Sequence, residues 1–201
     1  MADAPGRAYV GVGSNIHPEI NVQKALELLS GTPGITLTGI STFYRTAPLS
    51  DPADTTVPPG QGPVDPDPDP DFLNGVLEIR TGFSAPELLV LFARIEESLG
   101  RIRPGNRFAP RTMDLDLLLY GRGYQSDPEP EWESVNSDGA MVHPDIERRA
   151  FVAHPLLELA PDLILPPHRT PLRALAASFD SPGGRPETEF TEELRRRFLV
   201  T

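Results

Sequence analysis

Two aspartates, Asp114 and Asp116, lie two residues apart in an otherwise apolar segment, TMDLDLLLYG. Residues i and i+2 of a strand point to the same side, about 7 Å apart along the chain, so the two carboxylates are expected side by side. Carboxylates this close repel each other unless a cation lies between them. Oxygen ligands favour Mg²⁺, which often combines one or two carboxylates with substrate phosphates. The pair therefore predicts a magnesium site; the alternative is a solvated face of a sheet.

The segment just before this pair, RIRPGNRFAPR, is rich in arginine. A guanidinium group forms paired hydrogen bonds with phosphate and neutralises charge that develops on a transferred phosphoryl group. A cationic loop beside an anionic pair is therefore typical of a site for a metal-bound polyphosphate. The alternative is a set of ordinary surface arginines paired with nearby glutamates. The four arginines are Arg101, Arg103, Arg107 and Arg111.

Several common nucleotide and hydrolase motifs are absent from the sequence. Residues 11–16, GVGSNI, lack the third glycine of a dinucleotide fingerprint, and no GKS or GKT of a P-loop occurs. The absence of G-x-S-x-G argues against an ordinary serine hydrolase. The four histidines are scattered without metal-binding spacing, but His143 precedes Pro144 and the basic pair Arg148-Arg149. We therefore expect a functional role for His143 alone among them.

Phe72 and Asn74 share one face of a predicted strand. A side-chain amide offers both a donor and an acceptor, and an aromatic ring offers a stacking surface. The pair suits a flat heteroaromatic ligand, and it equally suits an ordinary strand that binds nothing.

The composition indicates one globular domain without disulfides. The chain has 201 residues, 38% of them apolar, and no cysteine, which excludes thiolate metal sites and cysteine nucleophiles. Its formal charge of −11 opposes nonspecific binding to nucleic acid. The N-terminal sequence lacks the pattern of a signal peptide, and no run of about 20 apolar residues occurs. We therefore expect a cytoplasmic protein that does not enter membranes.

Residues 51–70 differ in composition from the rest of the chain. They contain seven prolines, five aspartates and no lysine or arginine. Proline supplies no backbone donor and like charges repel, so neither a helix nor a strand suits this segment. We predict a long acidic loop, which is either a lid over an active site or an inert insertion.

Hydrophobic periodicity predicts four strands, two amphipathic helices between them, and further helices after the last strand. The second strand is expected to run unbroken from Ile35 to Ala47. The odd-numbered residues from Met113 to Leu119 are expected on one face of the fourth strand, and Pro155 at the N-terminus of a helix. The order β-α-β-β-α-β predicts an α+β sandwich of ferredoxin-like type, an antiparallel sheet with helices packed on one face.

Six segments resemble, in order, the family of 6-hydroxymethyl-7,8-dihydropterin pyrophosphokinases of folate biosynthesis. The run R-x-x-P-R-T-x-D-L-D-x-x-L-Y-G at residues 107–121 is highly specific. The resemblance implies a pyrophosphokinase domain at 1–166, with the acidic loop 51–70 where the family has a loop that closes over the substrates. Residues 167–201 are then a C-terminal extension, which we expect to be helical or partly disordered. The segments are VGVGSN, STFYRTAPL, DFLNGV, RIEESLGRIR, RFAPRTMDLDLLLYG and HPDIERRAFVAHPLLELAP.

The resemblance also implies the reaction and its participants. The β,γ-pyrophosphoryl group of ATP is transferred to the pterin hydroxymethyl oxygen and AMP is released, with two Mg²⁺ ions bridging the triphosphate. The expected partners are therefore ATP and 6-hydroxymethyl-7,8-dihydropterin, with neither nucleic acid nor membrane, and a monomer is expected. By position, Asp114 and Asp116 match the metal ligands, and Arg101 and Arg111 match the catalytic arginines.

Further positions match the family's two substrate sites. Phe72 and Phe151 are expected to sandwich the pterin ring. The matches to the nucleotide site are Glu96, Arg103, Phe108, His143 and Arg149. The matches to the pterin site are Thr46, Ala47, Leu49, Phe72, Asn74 and Phe151.

Two other interpretations compete with this one. A different metal-dependent phosphotransferase or nucleotidyltransferase could use the same carboxylate pair, and it would be protected from heat by nucleotide and not by a pterin. A non-enzymatic ferredoxin-like binding module would produce no magnesium-dependent AMP.

Overall fold

The structure, a computed structural model, describes residues 5–48, 71–101, 110–122, 131–135, 142–166 and 168–199. The strands are β1 (Gly6–Ser14), β2 (Ile35–Ile40), β3 (Tyr44–Thr46), β4 (Phe72–Thr81), β5 (Asp114–Arg122), β6 (Glu131–Glu133), β7 (Ile164–Leu165), β8 (Thr170–Pro171) and β9 (Arg185–Pro186). The helices are α1 (Pro18–Ser30), α2 (Ala85–Ser98), α3 (Asp145–Arg148), α4 (Ala150–Leu159), α5 (Leu172–Ala176) and α6 (Thr188–Phe198). The predicted acidic loop at 51–70 lies outside these residues.

One antiparallel sheet organises the molecule. Its strands run in the order β6-β5-β1-β4-β3-β9, and β2 also pairs with β4. The first seven elements run β1-α1-β2-β3-β4-α2-β5, which is the predicted order with its second strand divided in two, and β1 and β4 lie in the centre of the sheet. The predicted α+β, ferredoxin-like antiparallel sheet is therefore confirmed.

Helices α1 and α2 cover one face of the sheet because each has an apolar stripe at helical spacing. Leu26 and Leu29 of α1 and Leu88 and Phe92 of α2 are at most 1% exposed within this core. A capping box begins α2: the Ser84 backbone N–H donates to Glu87 Oε2 at 2.7 Å.

The opposite face of the sheet has its own helical layer, which corrects the expectation of helices on one face only. Leu156 of α4 and Ile146 of α3 pack with Val76, Leu118 and Leu119 in a second apolar core. The segment after residue 161, which carries α5, adds the buried Leu172 to this core. The second layer covers the sheet incompletely, and the uncovered part forms a cavity. None of the helices in the described stretches is long and apolar enough to cross a bilayer.

The predicted second strand is interrupted, and the prediction that it runs unbroken from Ile35 to Ala47 was wrong. Between β2 and β3, the Ser41 hydroxyl accepts the Val76 N–H at 2.8 Å, in place of a backbone carbonyl. Residues 41–43, which connect β2 to β3, place the Phe43 side chain in the core, where it lies against Gly75. A Cβ at Gly75 would come within 2.8 Å of the Phe43 ring, so glycine is required there.

Two further expectations fail for local reasons. β5 has a bulge at Leu118, since Val10 and Tyr9 of β1 pair with Leu117 and Leu119. Leu119 is therefore turned to the second core, away from the face of Leu117. Pro155 lies inside α4 and not at its start, because the helix already begins at Ala150.

Candidate active site

The two aspartates of β5 point into the cavity between the sheet and α3–α4. Both Asp114 and Asp116 line it, while Leu115 between them is 5% exposed and faces the core. Across the sheet Asp114 pairs with Gly13 of β1. A Cβ at Gly13 would come within 2.9 Å of Asn74 Oδ1, so glycine keeps the floor of the cavity open. The predicted placement of both carboxylates on one face is confirmed by this geometry.

Asp114 is held by two arginines. Arg101 Nη1 lies 2.5 Å from Asp114 Oδ1, and Arg111 Nη1 is hydrogen-bonded to Asp114 Oδ2. Arg101 also forms an ion pair with Glu96, which is only 3% exposed. Glu96 Oε1 in turn accepts the backbone N–H of Leu115 at 2.9 Å. Glu96 thus lies behind the cavity wall and fixes both Arg101 and the backbone of β5.

Asp116 carries the largest electrostatic perturbation of the site. Its side chain is 44% exposed, and the exposed part faces the cavity. Burial by the surrounding protein raises the pKa of Asp116 to about 7, and the negative charges of Asp114, Asp145 and Glu96 add to this rise. The positive charge of Arg101 acts in the opposite direction. An added cation would relieve this excess of negative charge.

The donor set fits magnesium. No group of three or more His, Cys, Asp or Glu in the described part of the chain is arranged to hold a metal ion. A site with only two carboxylates is therefore incomplete by itself, as expected for Mg²⁺, whose remaining ligands are waters and substrate phosphates.

His143 lies beside Asp116. Its Nε2 is 3.9 Å from Asp116 Oδ1, and its Nδ1 accepts the Asp145 N–H at 3.3 Å. Burial lowers the pKa of the imidazole. A neutral ring that accepts at Nδ1 carries its proton on Nε2, so His143 offers a hydrogen-bond donor toward Asp116.

The other end of the cavity is apolar and aromatic. Phe72 and Asn74 of β4 and Phe151 of α4 line it, together with Thr46 and Ala47 at the end of β3. Asn74 Nδ2 donates to Thr46 Oγ1 at 2.8 Å. The whole cavity measures about 350 Å³, within the range for a small ligand.

Arg111 connects the two ends. Its guanidinium carbon is 5.9 Å from the centre of the Phe72 ring. Its backbone is held by Asn15, whose Oδ1 accepts the Arg111 N–H at 2.8 Å and whose N–H donates to the Arg111 carbonyl at 3.1 Å. Ser14 Oγ donates to the neighbouring Thr112 carbonyl at 2.6 Å.

The structure therefore brings most of the predicted site residues to one cavity. Glu96, Arg101 and His143 lie around its charged end, and Arg149 lines its wall beside α3. Leu49, Arg103 and Phe108 lie outside the described residues.

Sequence reasoning gave no role to several residues near the cavity. Asn15 and Ser14 hold the backbone at Arg111, and the signal was the turn of VGVGSN directly after a strand. Asp145 and Arg148 line the cavity, and the charged segment DIERR was their signal.

Comparison with known proteins identifies the relatives of the chain. A model of the family 7,8-dihydro-6-hydroxymethylpterin-pyrophosphokinase matches residues 9–161. The 2-amino-4-hydroxy-6-hydroxymethyldihydropteridine pyrophosphokinase of Pseudomonas aeruginosa is 36% identical over 172 residues, which span 85% of this chain and 91% of the relative. That of a Synechocystis species is 36% identical over 160 residues, spanning 79% of this chain and 69% of the relative.

A solved structure shares the fold. The wild-type HPPK-DHPS of Plasmodium falciparum superposes with a TM-score of 0.56 over 98% of this chain, at 12% sequence identity. The chain spans 46% of the length of that protein.

Proposed function

The chain belongs to the 7,8-dihydro-6-hydroxymethylpterin-pyrophosphokinase family, and on this premise we propose how its residues bind the substrates. It is an ATP-dependent pyrophosphokinase of folate biosynthesis. The hydroxymethyl oxygen of 6-hydroxymethyl-7,8-dihydropterin forms a bond to the β-phosphorus of ATP. The bond from that phosphorus to the oxygen shared with the α-phosphate breaks, and AMP and one proton are released.

One observation carries the assignment of residues: a single cavity is lined by a carboxylate pair at one end and by an amide and two aromatic rings at the other. Asp114 and Asp116 form the first end, and Phe72, Asn74 and Phe151 form the second. A transfer between a charged and a flat substrate needs both in one place, since proximity supplies much of the rate.

The family uses Mg²⁺ with ATP, and we assign the metal to Asp114 and Asp116, with two ions at the pair. Bound Mg²⁺ neutralises phosphate charge and orients the polyphosphate. The raised pKa of Asp116 supports this assignment, because it reflects burial of the carboxyl together with the negative charges of neighbouring carboxylates, which a cation would offset.

Arg101 and Arg111 act on the polyphosphate. Both are paired with Asp114 in the structure. We assign them to exchange this carboxylate for phosphate oxygens when substrate binds, which places positive charge where negative charge develops. Glu96 restrains Arg101, and His143 presents its Nε2–H. With Arg149, these are the nucleotide-site residues in the described regions.

The pterin binds at the β3–β4 end. Asn74 offers its amide, the Thr46–Ala47 backbone reads the edge of the ring, and Phe72 and Phe151 sandwich it. Three further assignments rest on the family resemblance alone: Leu49 belongs to the pterin segment, and Arg103 and Phe108 contact the nucleotide.

We assign the activity to residues 1–166, with 167–201 as an extension. The enzyme acts as a monomer on ATP and the pterin, without nucleic acid or membrane. The formal charge of −11 supports the exclusion of nucleic acid.

AMP release from ATP and Mg²⁺, measured with and without the pterin, tests the assignment. Wild type should form AMP and no ADP, and only with the pterin. Asp116→Ala should reduce turnover by about a thousandfold, since a metal ligand supports several kcal/mol of transition-state stabilisation. The matched control is Asp162→Ala, which removes an aspartate whose side chain is 92% exposed. Full activity in Asp116→Ala, or ADP as product, would overturn the proposal.

A further inference from the structure

The chain beyond residue 183 is built onto the strand that carries Thr46. β9 pairs antiparallel with β3, with Arg185 opposite Arg45 and Pro186 opposite Tyr44. The other edge of β3 pairs with β4, where Asn74 lies opposite Tyr44 and Phe72 opposite Thr46. Strand β3, which is three residues long, thus lies between β9 and β4, the strand that carries Phe72 and Asn74.

The first turn of α6 satisfies both backbone groups of Phe43, the residue before β3. The Thr191 hydroxyl accepts the Phe43 N–H at 3.0 Å, and the Glu187 N–H donates to the Phe43 carbonyl at 2.8 Å. Phe43 is 0% exposed and Thr191 is 1% exposed. Buried backbone groups need partners, so these two bonds hold the start of β3 in one position.

Side-chain contacts continue this attachment along β3. Glu187 Oε1 accepts from Arg45 Nε at 2.9 Å, and the Phe190 ring packs edge-on against Phe43 at 6.0 Å between ring centres. The backbone also approaches closely at Gly184: a Cβ there would overlap the Arg45 carbonyl oxygen and come within 2.8 Å of Thr46 Cγ2.

The outer edge of β3 gives a reason for this attachment. Among the described residues, β9 supplies the backbone partners of that edge. A strand edge without partners leaves its N–H and C=O groups unpaired, so pairing with β9 stabilises β3.

We propose that residues 184–191 position β3 for pterin binding, with Glu187 and Thr191 as positioning residues. The path runs from Thr191 and Glu187 through Phe43 and Arg45 to Thr46, which accepts the hydrogen bond from Asn74. The proposal rests on the proposed function, because that function places the pterin at Asn74. The segment lies beyond residues 9–161, which the family model matches. Because β3 carries none of the residues assigned to the nucleotide, the segment should affect pterin affinity and leave nucleotide affinity unchanged.

Two variants of the full chain test the proposal. Thr191→Val removes the hydroxyl at nearly equal volume, and Thr191→Ser restores it. Gly184→Ala forces β9 away from Arg45. Gly82→Ala is the matched control, since a Cβ there meets nothing within 4 Å. The pterin Kd is measured by calorimetry with Mg²⁺ and an ATP analogue whose α,β-bridging oxygen is a methylene group, and the Kd of the analogue is measured separately.

We expect Thr191→Val to weaken pterin binding by about fivefold, because the buried Phe43 N–H loses its acceptor and the Glu187 carbonyl loses the hydroxyl that donates to it. Thr191→Ser and Gly82→Ala should match wild type, and Gly184→Ala should weaken pterin binding more than Thr191→Val does. The Kd of the analogue should not change in any variant. Thermal denaturation identifies any variant that is unfolded at the assay temperature. If Gly184→Ala is unfolded, the comparison of Thr191→Val with Thr191→Ser decides the test.

An unchanged pterin Kd in folded Thr191→Val, or equal weakening of both ligands, overturns the proposal and leaves the proposed function intact. The proposed function itself fails if wild type binds no pterin beside the analogue.

Discussion

The two ends of the cavity are built in different ways. At the charged end, Arg111 and Asp114 are three residues apart in sequence, and Arg101 is 13 residues from Asp114. At the pterin end, the hydrogen bond from Asn74 to Thr46 joins residues 28 positions apart. Phe151 comes from a helix on the opposite side of the cavity. The carboxylate–arginine cluster of the charged end is therefore local in sequence, although His143 and Asn15 join it from distant positions, while the pterin end depends on how distant elements pack.

The chemistry of the two ends differs in the same way. The charged end concentrates Asp114, Asp116 and Glu96 against two arginines, so substitutions there should change the rate of transfer. The pterin end is neutral and shaped by rings and one amide, so substitutions there should change pterin affinity. Substitutions at each end can therefore test whether the rate of transfer and the pterin affinity are controlled separately.

Arg111→Ala should have the largest effect at the charged end. We expect kcat to fall by about a thousandfold, as when an arginine that stabilises the transferred group is lost. The ATP and pterin KM values should change much less. Steady-state AMP release measures all three, and Arg173→Ala, which removes an arginine whose side chain is 70% exposed, serves as the control. A large rise in pterin KM at unchanged kcat would contradict the division.

Asn74→Ala should show the opposite pattern. It removes the donor to Thr46 and the amide offered to the pterin, so the pterin KM should rise by about thirtyfold. The ATP KM should stay near the wild-type value in the same assay. A parallel rise in both KM values would show that the two ends are not separable.

Asn15→Ala tests whether Arg111 depends on its backbone contacts. Loss of the Asn15 side-chain acceptor should lower kcat by about tenfold, because Arg111 is then less well placed. In an Arg111→Ala background the same change should have little further effect, since the residue it positions is gone. Additive losses in the double variant would instead give Asn15 a role independent of Arg111.

Apart from its effect on turnover, Asp116→Asn should change the thermal stability of the protein, and this is the smallest of the expected changes. Because the pKa of about 7 in the folded state exceeds the ordinary aspartate pKa of 3.8, the free energy of unfolding decreases as pH rises from about 4 to 7, and the full penalty remains above pH 7. In EDTA, Asp116→Asn should therefore raise the Tm by a few degrees at pH 8 and by less at pH 5. Thermal denaturation at both values checks this, and a larger gain at pH 5 would contradict the sign.

The same division explains what could be read from the sequence. Asp114, Asp116 and the arginines were predictable because their spacing alone places them on one strand and the loop before it. The common face of Phe72 and Asn74 followed from the two-residue period of β4. The antiparallel sheet followed from the order of the elements.

The rest depends on tertiary contacts. The bulge at Leu118 and the replacement of a ladder hydrogen bond by Ser41 leave no clear periodicity in the sequence. The pairing of β9 with β3 joins segments more than 100 residues apart, and the second helical layer packs on strands β4 and β5 from far upstream, so local patterns reveal neither. Asn15 acts through a backbone contact 96 positions away, and no spacing rule predicts such a contact.

A crystal structure with Mg²⁺, the α,β-methylene ATP analogue and 6-hydroxymethyl-7,8-dihydropterin tests the division most directly. We predict Mg²⁺ about 2.1 Å from oxygens of both Asp114 and Asp116. The pterin ring should lie between Phe72 and Phe151, with its edge on Asn74. A pterin bound outside the β3–β4 end, or a metal held without the two aspartates, would contradict the account.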